Sequence, residues 1–328
     1  MRAWRLQGYG ESRLITIDEM DRPSPGPGEV QLRVAGTSFN PSEVGLRRGL
    51  LRSVVEVGLP YTMGWDVAGT VSELGPGVHG WAVGDRVIGR LDGGAAADYA
   101  VAPASALVRA PATIPLAHAA ALPIAGLTAW QAVFEHGRVR ASAVGTGAAG
   151  ARQRVLVNGA GAIGRLAIQL ARHAGAEVFA VASSRSAEAA VAAGADLTLP
   201  ELPESVDVLL HFVPQPLDPA LAALVRPGGV VVSATVPRAM AGAGIGASAA
   251  AGSETWAGAA AGSETWAGAD VHFVMRDDPG QLSELVSLVD AGVVTVDIAA
   301  VRPLIELGEV HAEAETGDLP AGKTILVP

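Results

Sequence analysis

The strongest constraint in this 328-residue sequence is one stretch, Arg154-Val-Leu-Val-Asn-Gly-Ala-Gly-Ala-Ile-Gly164, which runs on into Arg165-Leu-Ala-Ile-Gln-Leu-Ala-Arg172. Val155, Leu156 and Val157 form the short apolar run of a parallel strand covered on both faces. Gly159, Gly161 and Gly164 then fall in the order G-x-G-x-x-G. The first allows a sharp turn, the second lets backbone approach a pyrophosphate, and the third lets the helix pack closely on its strand. Ile163, Leu166, Ala167 and Leu170 share one helical face, which can press on a sheet. The helix N-terminus then presents unpaired N–H groups and its positive dipole end to a diphosphate. Asn158, Gly159, Gly161, Ala162, Ile163 and Gly164 are therefore the expected cradle.

In a chain with 41 glycines such a pattern is weak alone. Its context strengthens it, because a second strand follows at 177–182. From Arg154 onward strand-like runs (206–211, 230–234, 271–275) alternate with helical ones (187–193, 217–225, 279–291), which implies a doubly wound parallel sheet. Before it, short β-like runs at 14–17, 30–34, 67–71, 86–88 and 97–101 are separated by Gly/Pro turns, and a helical turn is expected at 41–48. Their spacing suggests a compact β-barrel. Helix formers flank Pro123 between 117 and 133. The tail from Val301 supplies a short helix and a last strand, 324–327.

Length allows two domains, each with its own core. The formal net charge of −10 argues against nucleic acid or an anionic membrane as partner, since phosphate contacts need concentrated Lys and Arg. The N-terminal residues lead into polar sequence rather than an apolar segment, so a cytoplasmic location is expected. No cysteine is present, which excludes disulfides, thiol nucleophiles and cysteine-built zinc sites. Two segments stand apart, an Ala/Gly/Ser/Arg run at 139–151 and a region at 242–269. In the latter, residues 250–259 (AAGSETWAGA) recur unchanged as 260–269. Both are expected to be mobile insertions, with Trp256 and Trp266 as alternative anchors for a partner or lid.

Several motifs in matching order resemble the medium-chain dehydrogenase/reductase superfamily, in its zinc-free quinone oxidoreductase (ζ-crystallin-like) or enoyl reductase branch. Asn40-Pro-Ser-Glu-Val-Gly-Leu-Arg-Arg-Gly49 resembles the family's Asn-Pro-x-Glu/Asp-x-Tyr-x-Arg-x-Gly segment. Gly64-Trp-Asp-Val-Ala-Gly69 and Val83-Gly-Asp-Arg-Val-Ile-Gly89 are similar to its G-x-D-x-A-G and V-G-D-R-V pair. Ala121-Leu-Pro-Ile-Ala-Gly-Leu-Thr-Ala-Trp130 resembles the interdomain helix, and Gly322-Lys323, holding the only lysine, the closing Gly-Lys. The resemblance implies an α/β Rossmann doubly wound parallel sheet plus a GroES-like β-barrel domain. The barrel would comprise 1–122 and 293–328, and the Rossmann domain 123–292.

The resemblance also implies roles. Zinc-dependent relatives carry Gly-His-Glu where this chain has Gly64-Trp65-Asp66, and a cysteine where it has Asn40. No two histidines lie at ligand spacing, so no metal is expected. At the end of the second Rossmann strand, an NAD site places a carboxylate on the ribose 2′-OH. Here stand Ser183, Ser184 and Arg185, which suit a 2′-phosphate and so NADPH. An ordinary helix N-cap is the alternative for the serines. By resemblance, Pro41 and Thr128 would lie near the nicotinamide, Val213, Ala234, Thr235 and Val274 would contact the nucleotide, and Lys323 would join the cofactor site. Asn40 would face the substrate. Gly45 replaces the family's tyrosine, leaving Tyr61, Arg47, Arg48 or water as proton donor. The expected activity is hydride transfer from NADPH to an activated C=C of an enone, quinone or enoyl thioester. Reduction of a polyketide-like intermediate, and NADPH binding with little turnover, stand as alternatives. A small-molecule substrate and a homodimer are expected.

Overall fold

The computed structural model describes residues 1–52, 55–140, 152–198, 202–234 and 269–328. The expected insertions at 139–151 and 242–269, with the tandem repeat, lie outside these residues except for Val139, Arg140 and Ala269. Thr235 also lies outside them. The described chain forms two compact units, Met1–Leu127 with Arg276–Pro328, and Thr128–Met275.

The first unit begins with β1 (Arg2–Leu6), β2 (Ile15–Glu19), β3 (Glu29–Ser38), α1 (Ser42–Arg47) and β4 (Tyr61–Thr62). β5 (Asp66–Leu74), β6 (Arg86–Arg90), β7 (Tyr99–Pro103), β8 (Leu107–Arg109) and α2 (Pro123–Trp130) follow. β3 is the organising strand, because it pairs with β5, with β7 and, near its end, with a strand from the far C-terminus. Its inward residues Val30, Leu32 and Val34 pack with Val67, Val71, Val87, Leu91 and Leu107 in one apolar cluster. Each such fully buried aliphatic side chain stabilises by about 1.5–3 kcal/mol. α2 starts on Pro123, whose fixed φ and missing N–H suit the first helical position. The next amide, Ile124 N–H, donates to Asp66 Oδ1 at 2.9 Å.

In the second unit come β9 (Arg154–Asn158), α3 (Ala162–His173), β10 (Glu177–Val181), α4 (Ala187–Ala192) and β11 (Leu197–Thr198). They are followed by β12 (Val206–His211), α5 (Pro219–Ala222), β13 (Val225–Ser233) and β14 (Ala269–His272). All pairs are parallel, in the order β11-β10-β9-β12-β13-β14. The order therefore reverses between β9 and β12, where α/β sheets of this kind open a crevice at the strands' carboxyl ends. Leu156, Phe179, Leu209 and Val231 build the core on one face. The expected helix at 217–225 is shorter. Asp218 caps it, and Val225 already lies opposite Val206 as the start of β13.

The chain returns to the first unit with α6 (Pro279–Asp290), β15 (Ile298–Pro303), α7 (Leu307–Thr316) and β16 (Lys323–Val327). A seven-stranded sheet results, in the order β15-β16-β3-β5-β6-β8 with β7 also on β3, beside a three-stranded β2-β1-β4. Among the described residues no pairing joins β15 to β8. No helix among the described residues is long and apolar enough to cross a membrane.

Candidate functional site

The glycine turn sits at the carboxyl end of β9, beside the point where strand order reverses. Its three glycines differ in what surrounds them. Gly159 has φ +104, a conformation side chains disfavour, and its N–H donates to the Val181 carbonyl of β10 at 2.9 Å. At Gly164 an added Cβ would lie 1.8 Å from the Gly159 carbonyl, so close helix–strand packing requires glycine. Gly161 is different. Its φ of −75 would suit any residue, and a Cβ there would meet nothing within 4 Å. The fold thus demands the outer two glycines and leaves open space at the middle one, at the N-terminus of a twelve-residue helix. This is the arrangement a diphosphate needs. Ala162 and Ile163 are half-buried in the first turn, and Arg165 donates from Nε to the Ala160 carbonyl at 2.9 Å, bracing the turn from behind.

Neighbouring strand ends supply the other expected nucleotide residues. Ser183, Ser184 and Arg185 are exposed just past β10. Ser183 Oγ lies 2.8 Å from Ser186 Oγ, and the Ser183 carbonyl accepts the N–H groups of Ser186 and Ala187 at 2.9 Å. The serines therefore also shape the start of α4. No Asp or Glu occupies 182–187; Glu188 lies in the first helical turn. Val213 is half-buried after β12, with Cγ1 where a Cβ on Gly159 would come within 2.7 Å. The Ala234 N–H donates to the His211 carbonyl at 3.3 Å. Val274 follows β14 and is half-buried, and Thr128 is buried at the start of the unit.

In the first unit the expected residues fall into distinct surroundings. Asn40, expected to face a substrate, is 4% exposed; its Nδ2 donates to Asp66 Oδ2 (2.9 Å) and the Ser38 carbonyl (3.3 Å), and its Oδ1 accepts from Lys323 Nζ (2.8 Å). Lys323, expected at the cofactor site, is held in the same network. Its ammonium is buried, donates also to Ser38 Oγ at 2.8 Å and lies 3.5 Å from Asp66. The β3–β16 register explains the meeting, since Ile325 opposite Ser38 brings Lys323 beside Asn40. Burial lowers the Lys323 pKa, while Asp66 and Glu43 favour its charge. Glu43 accepts the N–H groups of Asn40 (3.0 Å) and Gly64 (3.1 Å), yet burial pushes its carboxyl up to about 7, with Asp66 adding repulsion. Asp66 and Glu43 are members that sequence reasoning passed over; a lone lysine in a chain of this size was the available sign of buried carboxylates.

Arg47, expected as a catalytic residue, also has its partners within the first unit. It is fully buried, donates to the Gly10 carbonyl and approaches Glu315 at 2.8 Å, a contact of charge without aligned hydrogen-bond geometry. Gly45 is buried in α1, whereas Pro41 is exposed ahead of it. Tyr61 lies elsewhere, lining a groove of about 610 Å³ with Arg90, Asp92, Gly93, Gly94 and Asp277. Its hydroxyl donates to the Asp92 carbonyl at 2.6 Å and accepts from Trp65 Nε1 at 2.9 Å, and burial raises its pKa. Among the described residues no three His, Cys, Asp or Glu side chains converge on a possible metal position.

Comparison with known proteins now adds to this geometry. Residues 26–112 match the alcohol dehydrogenase GroES-like domain. Over 204 residues the chain is 34% identical to a chloroplast envelope quinone oxidoreductase homolog of Arabidopsis thaliana, a match covering 61% of this chain and 60% of that protein. It is 34% identical over 181 residues to a mycocerosic acid synthase-like polyketide synthase of Mycobacterium tuberculosis, covering 55% of this chain and 8% of that one. The matches thus span less than two thirds of these relatives. The structure of a quinone oxidoreductase from Coxiella burnetii, 23% identical, superposes with a TM-score of 0.79, covering 100% of this chain and 99% of that one.

Proposed function

We propose that the chain is a member of the medium-chain dehydrogenase/reductase superfamily, in its quinone oxidoreductase branch, and that it is an NADPH-dependent oxidoreductase reducing an activated C=C bond. The observation that carries the proposal is the open space at Gly161 between two glycines the fold requires. When bound, a nicotinamide dinucleotide supplies the hydride; the protein supplies position and polarisation. The amides of the turn and of the first turn of α3 would hold the diphosphate. Ser183, Ser184 and Arg185 would receive the 2′-phosphate, with no carboxylate at 182–187 to repel it. Val213, Ala234 and Val274, at the carboxyl ends of β12, β13 and β14, would pack along the remainder.

The residues bear on the proton as well. Asn40 and Lys323 are spent on the buried network, Arg47 is sealed, and the Tyr61 phenol is held to a carbonyl with a raised pKa. Water is then the proton source, and no metal is required by the residues present. Quinones and enones are the first substrate class. The polyketide synthase resemblance favours a second, an enoyl thioester on a carrier. We further propose a homodimer through β14, the edge strand of the parallel sheet.

Steady-state NADPH consumption with a panel of quinones, enones and enoyl thioesters tests the reading. Turnover with at least one class is expected. Micromolar NADPH binding without turnover of any would replace the reductase with a dinucleotide-binding protein.

A further inference from the structure

The carboxyl ends of four neighbouring strands carry a row of polar side chains. Asn158 on β9 lies opposite His211 on β12, His211 opposite Ser233 on β13, and Ser233 opposite His272 on β14. Residues opposite one another on parallel strands project to the same face, so the row lies on one side of the sheet. Asn158, His211 and Ser233 are all buried. In strands otherwise built of Val, Leu and Phe, buried polar groups persist only where they are hydrogen-bonded.

His211 is bonded at both ring nitrogens. Nδ1 lies 2.9 Å from Asn158 Nδ2, and Nε2 lies 2.9 Å from the Gln215 carbonyl. An amide nitrogen donates and a carbonyl accepts, which assigns a neutral ring protonated at Nε2. Burial, the largest influence, lowers its pKa and supports the neutral form; nearby, His272 pushes the same way and Asp270 opposes it.

The two bonds connect two parts of the chain. Asn158 is the last residue before the glycine turn, and Gln215 belongs to the loop leaving β12. The same loop is fastened a second time, because the Phe212 N–H donates to the Asn158 carbonyl at 2.9 Å. Between these ties stands Val213, against Gly159.

We propose that His211 is a positioning residue for the dinucleotide: its ring ties the loop 212–215 to the glycine turn and so holds Val213 over Gly159. The proposal deepens the cofactor reading and rests on it. His211 itself touches no cofactor. It sets the spacing between the turn that would hold the diphosphate and the loop that would contact the rest of the nucleotide.

Three variants separate this role from general support of the sheet. His211→Leu keeps bulk and removes both bonds. His211→Gln retains a donor at the Nε2 position for the Gln215 carbonyl, and His211→Asn retains an acceptor at the Nδ1 position for Asn158. Hydrogen exchange is read across 212–215 in the unliganded chain, and NADPH and NADH dissociation constants are measured by fluorescence titration. In His211→Leu, exchange should accelerate about tenfold and both dissociation constants should rise about tenfold, the scale of losing the one bond that holds Gln215. His211→Gln should restore both to within about threefold of the parent, and His211→Asn should not restore the loop's protection. Unchanged exchange in His211→Leu would overturn the tie. Accelerated exchange with unchanged dissociation constants would overturn its role for the dinucleotide. If His211→Leu does not fold, slow exchange and tight binding in His211→Asn would contradict the proposal instead. A parent chain that binds neither NADPH nor NADH would defeat the cofactor reading itself, which is visible before any variant is made.

Discussion

Gly159, Gly161 and Gly164 are one residue type under three different constraints, and substitution separates them. Gly164→Ala forces a methyl to 1.8 Å from the Gly159 carbonyl, so it should destabilise the second unit by about 3 kcal/mol or more, read by urea unfolding. A Cβ at Gly161 meets no protein atom within 4 Å, so in Gly161→Val stability should stay within about 1 kcal/mol of the parent while NADPH binding is lost. Retained binding in Gly161→Val would contradict the diphosphate assignment. Lys323 tests the other unit. Lys323→Met leaves Asp66 and Glu43 buried without a cation and should cost about 3–5 kcal/mol; a loss below about 1 kcal/mol would show the network to be dispensable. The glycine roles were legible because the pattern encodes backbone geometry locally. The surroundings of Asn40 were not, because Lys323, which donates to its side-chain carbonyl, lies 283 residues away and only the β3–β16 register brings them together.

At the scale of elements, α1 and α7 pack on each other and carry buried groups with opposed titrations. Glu43 on α1 has a carboxyl raised from an ordinary 4.5 to about 7, mainly by burial. The folded state therefore binds the extra proton between those values, and stability is lost as pH rises from 4.5 towards 7. His311 on α7 is lowered from 6.5 to about 3 by burial, with Arg47 adding repulsion. Its ring nitrogens have no hydrogen-bond partner among the described residues, and stability is lost as pH falls below 6.5. Each effect is about 3 kcal/mol across pH 4.5 to 7, so they nearly cancel in the parent. Glu43→Gln should expose an acid-side loss, and His311→Leu a loss on the alkaline side, in urea midpoints at pH 5 and 7. Parallel pH profiles for parent and both variants would refute the pairing. The alternating strands and helices after Arg154 were legible because both periods are plain there. β1, β8 and β15 were not: the first carries two arginines, the second is three residues long, and the third has no clean alternation of burial.

For the whole molecule, order along the chain translated into architecture because each strand of the parallel sheet follows its own crossover, and the 3-2-1-4-5-6 type of order follows from such units. Substrate choice was less legible. Gly45 stands in a buried helix where the resembled family has a tyrosine, and the groove lined by Tyr61 is built within the first unit from β4, the segment after β6, part of β7 and Asp277. The net charge of −10 suits a protein whose anionic ligand is held by backbone amides and a few local donors rather than by a broad basic surface. The proposed preference for NADPH rests on one exposed corner, Ser183-Ser184-Arg185. The most direct test of the account is the ratio of kcat/KM for NADPH to that for NADH, with the best acceptor from the panel, in the parent chain and in Arg185→Ala. The account expects NADPH to be favoured by about tenfold or more in the parent, with most of that preference gone in the variant. A parent chain that uses NADH more efficiently than NADPH would contradict it.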